Sequence, residues 1–214
     1  MANSVIQHLF PNGNFILGHL HHSADRLHSM SLVMEHLINE SDTLKRKELI
    51  ARSATIHQDT LKESRALFET LSKNLITPFD REDIFALGTG IKLLSSKTDS
   101  LIRYIEQNQC GADQKGLLEL ATVFQKGTSV LLQVIHGLEK MRQQKTTFEF
   151  ILDLREIHHS LNELCETHMA ESFDQLDSIK EILINIDIYE YFSALSAKLK
   201  ELGQIAEGFI VKYA

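Results

Sequence analysis

Apolar residues recur along this chain in steps of four and three, and the pattern starts afresh six times. The first stripe reads Leu20, Ala24, Leu27, Ser31, Met34, Ile38. Such alternation keeps one face of an α-helix turned toward a partner. Asn39-Glu40-Ser41-Asp42 breaks the stripe, and Ser41 or Asp42 can cap the second helix. The second stripe carries Ile50, Ala54, Leu61, Phe68, Leu71 and Leu75, and the third Ile84, Leu87, Ile91, Leu94, Thr98, Leu101 and Ile105. Between Asn108 and Asp113, Gly111 offers a helix stop and Asp113 a cap. The fourth stripe is Leu117, Ala121, Phe124, Thr128, Leu131, Ile135, Leu138. The fifth is Leu154, Ile157, Leu161, Leu164, His168, and the sixth runs from Ile188 through Phe192, Leu195, Leu199, Leu202, Ala206 and Phe209 to Tyr213. Polar connections fall at Gln143–Thr147 and Ser172–Ser178.

Each pattern covers roughly 25–30 residues, about 40 Å of helix. No such helix can bury its stripe alone, and short connections favour antiparallel neighbours. No stretch alternates at period two for long enough to make a strand. The expectation is an all-α chain of six long antiparallel helices, three plus three, with the joint near Asn108–Asp113. Gly88-Thr89-Gly90 lies inside the third pattern, where it reads as a close-packing point and not as a phosphate cradle.

Composition narrows the function classes. Two prolines and ten glycines in 214 residues favour long helices over a turn-rich sheet protein. A net charge of -7 argues against broad nucleic-acid binding. No apolar run reaches the ~18–20 residues that span a bilayer. The start Met1-Ala-Asn-Ser-Val-Ile-Gln-His8 lacks a signal peptide's basic and apolar regions. Cys110 and Cys165 form neither a CxxC pair nor a disulfide framework. The chain is therefore expected in the cytoplasm, peripheral to the inner membrane only through a partner. No GxSxG, HExxH or P-loop is present, so no enzyme activity is expected.

Thr77-Pro78-Phe79-Asp80-Arg81-Glu82-Asp83 holds one of the two prolines and reads as a helix start. Thr77 is an N-cap candidate, Pro78 suits the first helical position, and Asp80 can reach back to the cap. Glu82 and Asp83 complement the helix dipole. Arg81 is the residue that could grip a carboxylate or phosphate bidentately. The longer string Leu71-Ser-Lys-Asn-Leu-Ile-Thr-Pro-Phe-Asp-Arg-Glu-Asp-Ile-Phe-Ala-Leu87 resembles the signature of PhoU-like proteins, often encoded beside low-affinity Pit-type phosphate transporters. Ile188-Tyr189-Glu190 and Ala206-Glu-Gly-Phe-Ile-Val-Lys-Tyr-Ala214 look like that family's last helix. The resemblance implies two pseudo-repeated three-helix bundles, a PhoU-like, spectrin-like arrangement in one domain over 1–214. The first repeat would cover about 14–109 and the second about 113–214. It also implies a non-enzymatic regulator or accessory protein of inorganic phosphate transport, docking on a Pit-type transporter and forming a homodimer, with neither nucleic-acid binding nor membrane insertion.

The resemblance also implies metal sites, since several relatives hold metal clusters through Glu-x-x-x-Asp motifs, one set in each bundle. Here the first such motif falls on His57 to Leu61 and the second near Leu161 to Cys165, so the expected carboxylates are absent. The third helix reads Ile91-Lys-Leu-Leu-Ser-Ser96 where an Asp-rich segment is usual, and Ala197 and Glu201 stand in the sixth. The ligand set therefore does not support the family-type cluster. Eleven histidines leave another route. His21 with Asp25, and His159 with Glu163, stand four apart on helix faces. His57, His159 and Glu163 form a candidate centre for a divalent Zn, Fe or Ni ion if the two bundles bring them together. His168 continues the fifth stripe and reads as a packing histidine. The rival readings are a structural helical dimer module and a metal-binding or storage bundle built on the histidines.

Overall fold

The computed structural model describes residues 13–74, 77, 79–139, 144–175 and 178–213. The helices are α1 Gly13–Asn39, α2 Thr43–Lys73, α3 Arg81–Gln107, α4 Leu117–Glu139, α5 Gln144–Gln175 and α6 Ile179–Tyr213. No described residue lies in a strand. The chain is all-α, as its periodicity predicts.

α1 packs on α2, α3 and α4, while α4 packs on α1, α5 and α6, and α3 meets α6. The four helices α1, α3, α4 and α6 thus form the middle of the molecule, with α2 and α5 outside. One hydrophobic core runs through both halves, from Ile16 to Ile210. Across α1 and α4, His21 neighbours His136 and Glu35 meets Thr122, so these helices are antiparallel. Tyr104 meets Asp187, and Gly90 faces Leu202, which makes α3 and α6 antiparallel too.

The two halves repeat at a constant step of 101 residues. Buried Ile84, Leu87, Ile91, Leu94, Ser95 and Leu101 correspond to Asn185, Ile188, Phe192, Leu195, Ser196 and Leu202, all buried. The same step carries Leu20 to Ala121, Leu27 to Thr128 and Leu37 to Leu138.

The first, third and fourth stripes are wholly buried, as expected. The second is rotated. Its buried face is Arg46, Ser53, Thr60, Ser64, Leu67 and Leu71, whereas Ile50, Ala54, Leu61 and Phe68 are only half-buried and Leu75 lies outside the described residues. Arg46 explains how a charge enters this face. Its Nη1 donates to the carbonyls of Leu37 (2.8 Å) and Glu40 (3.1 Å), its Nη2 to that of Cys110 (3.2 Å), and Glu106 balances its charge at 2.8 Å. Buried charge is tolerated when paired and hydrogen-bonded in this way. One side chain thereby ties the α1–α2 turn to the end of α3.

Of the two cap candidates for α2, Asp42 fills the place, accepting from the N–H groups of Leu44 and Lys45. Two other helix boundaries differ from the sequence reading. The left-handed residues after α3 are Gln109 (φ 54°) and Gly116 (φ 68°), not Gly111, and α4 begins at Leu117, beyond the reach of an Asp113 cap. α5 starts at Gln144 and continues to Gln175, absorbing most of both polar connections. Gly88 and Gly90 are close-packing points: a Cβ would meet Leu67 Cδ2 at 2.5 Å and Leu202 Cδ2 at 2.6 Å.

Candidate functional site

The two strings that carry the family resemblance meet in space. Phe79 packs its ring on Phe209 (4.9 Å between centroids) and Tyr213 (5.2 Å), both from the last turns of α6. The Tyr213 hydroxyl accepts the Asp80 backbone N–H. Lys212 pairs with Asp83 at 2.7 Å and with Asp80 at 3.4 Å. The N-cap of α3 is Asp80, whose Oδ1 accepts the Glu82 N–H at 3.0 Å. This corrects the expected cap at Thr77, which donates instead to the Phe79 carbonyl at 2.6 Å. Asp suits a cap better than Thr, and here Lys212 adds a cation beside it. The Glu82 amide, then Lys212, hold the Asp80 carboxyl below the usual carboxylate range. Pro78 lies outside the described residues.

Beside this corner lies a surface groove of about 350 Å³, lined by Phe68, Leu71, Ser72, Arg81, Glu82 and Phe85. Phe85 is 52% exposed, a high value for a phenylalanine, and its ring lies 4.8 Å from that of Phe68. Lys92 covers Phe68 at 5.8 Å. Arg81 is exposed, steadied by one bond from Nη1 to the Asn74 carbonyl at 3.3 Å. The groove offers aromatic rings with one cation and one anion at its edge, and the start of α3 that forms one of its sides is tied to the end of α6.

The histidines distribute differently from the sequence expectation. His57 Nδ1 bonds the buried Ser95 hydroxyl across α2 and α3 at 3.1 Å. At the repeat-equivalent place, His158 Nδ1 bonds Ser196 across α5 and α6 at 2.9 Å, with Asn162 beside it. The counterpart of His57 in the second half is therefore His158, and the repeat sets His158 to Asn162 against His57 to Leu61. His159 points to solvent and pairs only with its helix neighbour Glu163 at 3.3 Å. His57 does not join that pair, and His21 stacks near His22 and His136 without Asp25 completing a ligand set. Among the described residues no three His, Cys, Asp or Glu side chains gather as metal ligands. The motif positions supply imidazole, hydroxyl and amide groups but no carboxylate to bridge ions, so they do not fit a multinuclear cluster. Burial, then the charge of Lys200, pushes His158 below the ordinary histidine range. His28, bonded to Thr128 at 3.1 Å, is lowered by burial against the opposing pull of Asp25.

Two histidine networks were not foreseen. His19 (2.7 Å), Arg26 (3.3 Å) and His22 (4.0 Å) converge on Glu63. His168, expected as a packing residue, places Nε2 3.1 Å from Glu119 and Nδ1 3.2 Å from Glu171. Both nitrogens face carboxylates, so the ring joins α4 to the end of α5. Neither set follows from sequence spacing, since Glu63 and Glu119 are each on a different helix from their histidines.

No family model matches the chain, and no curated protein matches it in sequence. Solved structures do. A PhoU-like protein from Shewanella oneidensis MR-1 superposes with a TM-score of 0.79 at 13% identity, covering 92% of this chain and 99% of that one. A second structure from the same organism, described as a PhoU-like phosphate regulatory protein, gives 0.77 at 13% identity, over 92% and 99% of the two chains. PhoU from Pseudomonas aeruginosa gives 0.61 at 11% identity, over 93% and 96%. The chain has the PhoU-like fold, with two three-helix halves back to back. Within that fold this chain carries a His–Ser bond at each outer seam, His57–Ser95 and His158–Ser196.

Proposed function

We propose that this protein is a non-enzymatic PhoU-like regulator or accessory protein of inorganic phosphate transport, acting by docking on a Pit-type transporter. The observation that carries the reading is the end-to-end likeness to PhoU-like structures, one of them described as a phosphate regulatory protein. The corner where the signature string meets the end of α6 adds a place for the contact. Its groove exposes Phe85 and Arg81 on a braced helix start, the kind of aromatic and arginine anchor that concentrates binding energy. A cytoplasmic segment of the transporter would lay an apolar side chain against the exposed ring of Phe85 and an acidic one against Arg81. No described helix is long and apolar enough to cross a membrane, so membrane contact in this reading comes through the partner.

Co-purification with the transporter, using the full chain, tests the reading. The wild type is expected to capture it. Arg81→Glu combined with Phe85→Ser should lose capture while the helical circular dichroism stays unchanged, because both side chains are exposed. Equal capture by the variant would refute the role given to this corner.

A further inference from the structure

The α3–α6 seam has two ends that the repeat makes equivalent, and they carry different chemistry: the start of α3 meets the end of α6 through an ion-paired aromatic corner, whereas the opposite end holds a cavity. There Lys97, Tyr104, Asp187, Glu190, Tyr191 and Ala194 line a surface cavity of about 380 Å³. The residues in the same places at the other end are Lys198, Ile205, Ala86, Thr89, Gly90 and Leu93. Those six positions hold neither an aromatic ring nor a carboxylate, so packing at these places in the seam does not call for them.

Tyr104 and Tyr191 hold their rings 5.7 Å apart, tilted by 47°. The Tyr104 hydroxyl donates to Asp187 Oδ2 at 2.5 Å, which fixes one carboxylate beside the rings. Burial, then the Asp187 bond, raises the Tyr104 pKa, so the phenol stays a donor at all physiological pH values. Asp187 and Glu190 are exposed, and among the described residues neither has a lysine or arginine within ion-pair distance. Two tyrosine rings lining a cavity with two carboxylates that form no ion pair match a guanidinium, which stacks on rings and forks onto carboxylates. A lysine ammonium would satisfy the charge but not the stacking.

We infer that this cavity binds an arginine side chain presented by a basic segment of a partner protein. The inference deepens the docking reading above and rests on it for the kind of partner: cytoplasmic loops of membrane proteins are rich in Lys and Arg. The net charge of -7 would draw such a segment in. The cavity lies about 28 Å along α3 from Phe85, at 1.5 Å per residue, so one partner can span both contacts. Lys97 is the one group in the cavity that opposes an incoming cation.

Fluorescence anisotropy on the purified full chain, with a labelled Gly-Arg-Arg-Arg-Gly peptide as probe, tests the inference. The wild type should bind saturably and a Gly-Glu-Glu-Glu-Gly peptide should not. Asp187→Asn with Glu190→Gln should weaken binding about tenfold. Lys97→Met should tighten it several-fold, and Asp153→Asn with Glu166→Gln, exposed on α5, should leave it unchanged. No binding by the wild type, an equal loss in the α5 control, or no gain from Lys97→Met would overturn the inference. Transporter capture through the Phe85 corner is scored separately, so these failures leave that reading standing.

Discussion

Gly116 holds φ at 68°, and a Cβ there would overlap the His168 ring. Any L-residue would meet both a left-handed backbone and an occupied space, so Gly116→Ala should destabilise the fold by more than ~2 kcal/mol. Thermal or denaturant unfolding checks this; a loss below half that value would mean that His168 moves aside freely. The half-buried histidines His158 and His28 set the pH response. His158 and His28 have folded pKa values below their ordinary 6.5. Their stabilising contribution is therefore complete above that value and drains as the pH falls through the folded pKa. Glu63 extends the loss to lower pH: burial would raise its pKa, but the His19 bond, Arg26 and His22 together bring it down. The melting temperature should thus fall between pH 7 and 5, and His158→Asn, which retains a group for Ser196, should flatten that slope. An unchanged slope would contradict the assignment. His158 itself was legible only through the repeat, because adjacent His159 offered the more obvious i, i+4 partner in Glu163.

Among the elements, α3 depends most on a distant part of the chain. Its cap residue is bonded by Tyr213 and paired with Lys212, and the residue before the cap packs on Phe209. Phe79→Ala should cost about 2 kcal/mol, less than a fully buried Phe because Phe79 is half-buried. It should also speed amide exchange at the start of α3 more than in α1. Uniform exchange in both helices would mean that the corner and the core open together. Apolar periodicity predicted α1, α3, α4 and α6 well because their buried faces are made of Leu, Ile, Phe and Met. It misread α2 because that helix buries Arg46, Ser53, Thr60 and Ser64, which a search for apolar stripes passes over. The signature string was recognisable, but its true cap was not. Choosing between Thr77 and Asp80 depends on Lys212 and Tyr213, more than 130 residues away in sequence.

For the molecule as a whole, the repeat and its departures matter together. The inner helices keep a shared core across both halves, while the surface positions differ between them. His57–Ser95 and His158–Ser196 preserve a symmetric polar bond at each outer seam. The residues at the repeat-equivalent places of the Phe68–Phe85 groove and of the Tyr104–Tyr191 cavity do not share their chemistry. A symmetric frame with asymmetric surfaces suits a protein that presents particular faces to another protein. The fold was legible from six stripes and two short strings. The surfaces were not, because each is assembled from residues on different helices.

Uptake of radiolabelled inorganic phosphate tests the central claim most directly. It compares cells lacking this chain with cells given back either the wild type or the Arg81→Glu, Phe85→Ser variant. The account predicts that loss of the chain changes the uptake rate, that the wild type restores it, and that the folded variant does not. Uptake that is the same with and without the chain would contradict a role in phosphate transport.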